Sequence, residues 1–455
     1  MRRWPARMVL LGALAVADPA IAASCRYDVV PDAGQGFRDL TLDVAIRCDR
    51  AVAADAFAVG YGAEAFVTWR TDGVLGYRIA LGALAAGRSG ADFAQTARAV
   101  MAPVNAWLAA PVDPGLAEEL RVTVAARPEL LFLANFAAAT GEYVLNRQDW
   151  GYGGYTVFTD RPPLAATAPG PAAFAKPGRD GPRAAAIRIV VLDDGFALAD
   201  VDIVAWIERF AGDVARFWAG FPSDRLLIAL APGGRPGNPF GRVRGGGGAT
   251  MTLRLAKSES LPFLLRRDWV LTHELIHLGA PFARSRQPWF MEGMATYLEP
   301  LIRVLGGAQP ERALWAEWLR AMPTGADAIA AQGLEGRGHP YWTGAAFFLE
   351  AHMAYLDAGR PDGLAVCFRG MRRALGDAAA RATVAQLIGA CDNAVGLPTL
   401  AGLQRRYSTP RRIDLQAHWR ELGIAARDGQ VTFAPEGSAR RALTFDNSLF
   451  SNSLP

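Results

Sequence analysis

The sequence predicts an α+β protein in which a β-rich module precedes a domain whose strands come first and helices afterward. Three observations carry this expectation. Residues 40–46 and 120–124 alternate apolar and polar positions with period two, as half-buried strands do. From residue 187 onward, apolar runs of strand length flank one long amphipathic stretch. After residue 261 nearly everything has helical periodicity.

In chain order, residues 1–22 read as a signal peptide. Arg2, Arg3 and Arg7 form a basic start, residues 8–17 are apolar, and Ala20-Ile21-Ala22 supplies a small-x-small cleavage site. Residues 23–160 read as the β-rich N-terminal domain. Within it, residues 92–108 are expected as an amphipathic helix, with Phe93, Ala97, Val100, Met101 and Val104 on one face and Pro103 near its end. Residues 151–158 read as a glycine-loosened strand whose aromatics fill a core. Residues 161–183, dense in Pro, Ala and Gly, read as a linker. The catalytic domain is expected at 184–310, with strands at 187–192, 225–230 and 249–255, a helix at 200–218 and a glycine-rich segment at 233–248. A helical subdomain at 311–427 and a polar tail at 428–455, with a strand at 431–433, complete the chain.

Composition narrows the class. The 455 residues suit about three domains at roughly 150 each. With 51% hydrophobic and 20% charged residues, the chain is globular in composition. Mean hydropathy is +0.11, yet no apolar run is long enough for a transmembrane helix. Lys176 and Lys257 are the only lysines, which reflects how the sequence is encoded. Removing the three Arg and one Asp of the signal lowers the net charge from +4 to +2, and no basic stripe is present, so nucleic acid is excluded as a partner. The four cysteines form two local pairs, Cys25 with Cys48 and Cys367 with Cys391, expected as disulfides after export to the periplasm or beyond. A lipid anchor on Cys25 is the less favoured alternative, since Ala22-Ala23-Ser24 lacks a large aliphatic residue and an anchored Cys25 would orphan Cys48.

The chemistry lies in Leu271-Thr272-His273-Glu274-Leu275-Ile276-His277. Two histidines four apart on a helix project from one face and can share a metal, with Glu274 set beside it as a base. Such a pattern arises by chance in roughly two chains per thousand of this composition, so it needs a partner. Glu292 supplies one, on a second helix that Pro288 can start. Zinc bound by three protein ligands keeps a fourth position open.

These residues resemble the gluzincin metallopeptidases, nearest to the aminopeptidase N-like and glycyl aminopeptidase-like families. His273-Glu274-x-x-His277 is joined by Trp289-Phe290-Met291-Glu292-Gly293-x-Ala295-Thr296-Tyr297, similar to the segment around those families' third zinc ligand. Pro340-Tyr341-Trp342-Thr343-Gly344 is similar to the segment that holds their transition-state-stabilising tyrosine. The resemblance implies a thermolysin-like α+β catalytic domain, one Zn2+ per chain on His273, His277 and Glu292, Glu274 as general base, Tyr341 as oxyanion donor and a peptide or protein substrate. It departs in two places. The spacer between His277 and Glu292 is shorter than usual, and the glycine-rich stretch at 245–251, corresponding to an edge strand that ends in an amine-gripping glutamate, has no acid. The edge strand can still bind a peptide backbone by strand addition.

Other candidates are weaker. His339 is a second oxyanion donor, Thr296 can steady a ligand, and Arg242, Arg244, Arg284 and Arg286 can meet a substrate carboxylate or simply be solvated. His352 and His418 read as structural. Competing functions are a zinc hydrolase of another amide or ester, and a catalytically idle peptide-binding protein that keeps the fold.

Overall fold

The protein is described by a computed structural model covering residues 24–445 apart from 71–72, 89, 140, 171–183, 284–286 and 337. The expected signal peptide and the end of the tail lie outside the described residues.

Strand Ser24–Asp32 buries every second residue and lies inside a seven-stranded sheet, antiparallel to Thr41–Cys48 and parallel to Glu119–Val124. Cys25 and Cys48 face each other in that pairing and are bonded. A second sheet, with order Leu131–Leu133, Tyr155–Thr159, Ala99–Pro103 and Ala94–Gln95, closes the core around Trp107 and Phe158.

The helix expected at 92–108 is not formed. Strands Ala94–Gln95 and Ala99–Pro103 occupy it, followed by the turn Val104–Ala106. The reason is burial on both faces: Val100 and Ala102 enter the N-terminal core, while Ala99 and Met101 face the next sheet. A strand buried on both sides loses its alternation and cannot be told from a buried helix by spacing alone. Residues 151–158 are also only partly strand. Helix Arg147–Tyr152, capped by the Asn146 side chain accepting the Asp149 amide at 2.7 Å, ends at left-handed Gly153, and the strand starts at Tyr155.

Within the stretch read as a linker, Leu164–Ala168 is an edge strand antiparallel to Ala185–Val191. It opens a five-stranded sheet that continues with Arg225–Pro232, Thr250–Leu255 and Phe240–Arg244; the inner three strands are parallel. Helix Asp200–Trp218 covers one face through Trp206, Phe210 and Val214. The other face meets the four-stranded sheet, where Met101, Tyr155 and Val157 pack on Val190, Leu227 and Ala229. The stretch at 245–251 is therefore not the edge strand. Gly245 to Gly248 make the turn before an inner strand, and the true edge is Phe240–Arg244.

Behind the sheet lie helices Pro288–Leu305, Glu311–Gln332, Pro340–Asp357, Gly363–Leu375 and Val384–Val395, the last two joined by Cys367–Cys391. The hairpin of Ile424–Arg427 with Gln430–Phe433 extends the strand expected at 431–433 and spans the expected start of the tail. Among the described residues, no helix is long and apolar enough to cross a membrane.

Glu299 is buried in this helical layer, 2.9 Å from Arg303. Burial pushes its carboxyl from 4.5 up to about 8, with Arg303 working against the shift. The folded chain therefore holds a proton there that the unfolded chain releases near pH 4.5. That contribution to stability is complete below the unfolded value and is lost as pH rises through about 8. Between pH 5 and 9 the melting temperature of the wild type is expected to fall more than that of Glu299→Gln; parallel melting curves for the two would contradict this account.

Candidate metal centre

The motif helix, Val270–His277, has only eight residues and needs outside support to form. Asp268 provides it. Its Oδ1 accepts the amides of Val270 at 2.8 Å and Leu271 at 3.3 Å, while Oδ2 accepts Trp206 Nε1 at 3.1 Å. Burial pushes this carboxyl up to about 6, and the two amides pull it back.

Four residues apart on the helix, His273 and His277 turn their Nε2 atoms to within 3.3 Å of each other. Helix Pro288–Leu305 crosses behind and brings Glu292 Oε2 to 3.2 Å from His273 Nε2 and 3.6 Å from His277 Nε2. Among the described residues these three form the group able to hold a metal ion. Ligand atoms around a tetrahedral zinc, with bonds of about 2.0–2.2 Å, stand about 3.3–3.6 Å apart, so the spacing fits that ion. The electrostatics agree. Burial opposes charge on Glu292, yet contacts from both histidines hold its carboxyl well below the usual range. Burial likewise opposes a charged His277, but Glu292 and Glu274 hold its pKa above the ordinary value.

Glu274 lines a cavity of about 440 Å³, together with His277, Glu292 and Tyr341. Burial raises its carboxyl pKa, while the nearby histidines and the backbone amide of Val243 lower it. The edge strand comes close enough for that contact because residue 241 is glycine. A Cβ there would lie 2.5 Å from Glu274 Cγ and 2.8 Å from Val270 Cγ1.

Tyr341 opens helix Pro340–Asp357, with its ring 5.8 Å from the His273 ring, and the residue, 42% exposed, lines the cavity. Burial, Glu292 and Glu274 push its phenol up to about 12, so it stays a donor at neutral pH. Two glycines bring it there. A Cβ on Gly344 would meet Trp289 O at 1.8 Å, and one on Gly293 would meet Gly344 Cα at 2.2 Å, so the helices bearing Glu292 and Tyr341 cross backbone to backbone.

Of the remaining sequence candidates, His339, Thr296, His352 and His418 are not brought to the site. His339 is exposed at the helix start and does not line the cavity. Thr296 makes no hydrogen bond to His273, His277 or Glu292 among the described residues. His352 is buried, with Nδ1 2.8 Å from Tyr297 Oη, and burial drops its pKa to about 4. His418 pairs with Glu350 at 3.4 Å. Arg242 and Arg244 line the cavity; Arg284 and Arg286 lie outside the described residues. Sequence reasoning missed Asp268, Gly241 and Arg381, the last also a cavity residue. Only Asp268 left a signal, an acid two residues ahead of an apolar helix.

In fold, the chain is similar to a solved aminopeptidase N family protein from Idiomarina loihiensis, with TM-score 0.62, 10% identity and coverage of 88% of this chain and 78% of that one. Looser likenesses include an M1 zinc metallopeptidase from Deinococcus radiodurans, with TM-score 0.45, 13% identity and coverage of 86% and 93%. A mutant M1 zinc metallopeptidase from Deinococcus radiodurans bound to a Tyr-Ser-Ala substrate has TM-score 0.46, 12% identity and coverage of 86% and 95%. No family model and no curated sequence matches the chain. The architecture is thus an α+β fold similar to that of the aminopeptidase N family protein, with a β-rich N-terminal part and a helical C-terminal part.

Proposed function

We propose that the chain is an exported, zinc-dependent peptidase that hydrolyses peptide bonds, holding one zinc on His273, His277 and Glu292. The observation that carries this reading is the convergence of two Nε2 atoms and one Oε2 atom at zinc-like spacing, on a cavity that also holds Glu274 and Tyr341. Zinc, when bound, polarises a carbonyl and lowers the pKa of water from about 15.7 toward about 7. The chain's own groups do the rest. Glu274, its basicity raised by burial, takes the proton of the attacking water and delivers it to the leaving amine. Tyr341 donates to the oxygen that becomes negative in the transition state. The edge strand Phe240–Arg244 offers main-chain groups on which an extended peptide can lie. Two disulfides, together with the signal-like N-terminus, support export.

Turnover of casein and of a mixed peptide pool tests the reading. Hydrolysis is expected, abolished by chelator and restored by zinc. A zinc-loaded protein that cuts no peptide would overturn it and favour the idle binder or a hydrolase of another bond.

For Tyr341→Phe, kcat and kcat/KM are expected to fall together by on the order of a hundredfold, with KM nearly unchanged. The exposed ring keeps its contacts, so the melting temperature should hardly move. Near-normal kcat with a lowered melting temperature would assign the hydroxyl a structural role.

A further inference from the structure

Arg242 and Arg244 stand two apart on the edge strand, so their side chains leave the face opposite the one where Gly241 meets Glu274. Both reach one carboxylate. Asp92 of the N-terminal module lies 3.2 Å from Arg242 Nη1 and 2.9 Å from Arg244 Nη2, and it accepts Tyr155 Oη at 2.7 Å. Two guanidinium groups on one carboxylate leave a net positive charge on the cavity wall. Arg244 is fixed between the rings of Tyr61 and Tyr155, at 5.6 and 5.3 Å, and its Nε is buried without an acceptor among the described residues. Arg242 is different. Its side chain is 47% exposed, and among the described residues its hydrogen bonds run from Nη1 to Asp92 alone. Arg242 is also among the residues that line the cavity holding Glu274 and Tyr341.

No described carboxylate lines that cavity except Glu274 and Glu292, while Arg381 adds a third guanidinium. A substrate ammonium therefore finds no spare anion, whereas a carboxylate finds a donor fork that Asp92 already holds in place. We propose that Arg242 is a specificity residue that receives a carboxylate of the substrate, so that the favoured substrates are peptides with an acidic side chain close to the scissile bond. The proposal rests on the peptidase reading above for the reaction, but not for the binding of the anion.

Matched peptides carrying Glu, Gln or Lys in turn at each position flanking one scissile bond test it with the zinc-loaded full chain. At one position the Glu peptide is expected to exceed its Gln counterpart at least tenfold in kcat/KM, with Lys the poorest. In Arg242→Gln the Glu-to-Gln ratio should fall to within about twofold of one, and in Arg242→Glu the order should turn toward Lys. Equal cleavage of Glu and Gln peptides at every position by the wild type would overturn the proposal and leave the peptidase reading intact. A readout without turnover separates the two claims. N-acetylglutamate α-amide should bind at least tenfold more tightly than N-acetylglutamine α-amide, and that preference should vanish in Arg242→Gln. Binding that persists there would place the carboxylate on the metal and overturn the role of Arg242. A lost preference in a chain that cuts no peptide would uphold the anion site and sink the peptidase reading.

Discussion

Glu274→Gln is expected to keep its zinc and lose hydrolysis. The amide has the shape of the carboxylate and can still accept the Val243 amide, so the cavity and the edge strand should stay where they are. Glu274 is not among the three atoms that converge at 3.2–3.6 Å, so metal content should equal that of the wild type. What disappears is the ability to take a proton. Loss of a positioned general base lowers kcat by about a hundredfold to ten-thousandfold, with little change in KM when binding is untouched. Metal analysis and kinetics on one preparation check both halves. Wild-type turnover in the zinc-loaded variant would remove Glu274 from the mechanism.

Gly344→Ala is expected to cause the largest loss of stability for the fewest atoms added. Its Cβ would lie 1.8 Å from Trp289 O, a backbone atom that cannot step aside without moving its helix. Overpacking of this kind costs about 1–3 kcal/mol or more. Alanine favours a helix over glycine by about 1 kcal/mol, which offsets part of that cost. The melting temperature should therefore drop by several degrees. Activity should drop as well, because parting these helices draws Tyr341 from Glu292. Gly402, in helix Thr399–Tyr407 with no atom within 4 Å of a Cβ, is the control. Gly402→Ala should be neutral or stabilising. If Gly344→Ala melts like that control, the helices do not meet through glycine.

What was legible in the sequence follows from the range of the forces involved. The i,i+4 histidines, the adjacent Glu274 and the later Glu292 are local patterns written on two helices, and helix geometry alone brings the two histidines to one face. The two cysteine pairs were legible for the same reason, being close along the chain. Residues 92–108 failed because strand Ala99–Pro103 lies between two cores, so its apolar residues no longer alternate with polar ones. The sequence expectation sets the edge strand at 245–251, later than Phe240–Arg244, because it matches the glycine run to a strand. Gly247 and Gly248, at φ +76° and +133°, instead make the turn, while the strand before it carries Arg242 and Arg244 and reads as polar surface. Asp268, two residues ahead of the motif helix, is a local signal of its support, whereas the Trp206 contact that anchors Asp268 comes from a distant helix and has no local trace. The Arg242–Asp92 contact joins residues far apart in the chain and has no local trace.

Metal content of the purified full chain and of Glu292→Ala, after dialysis against the same zinc buffer, tests the central claim most directly. One zinc per wild-type chain is expected, with retention sharply reduced in the variant because two imidazoles remain where three ligands stood. A wild type that holds no zinc, or a Glu292→Ala chain that holds it as firmly, would contradict the assignment of His273, His277 and Glu292 as the metal centre.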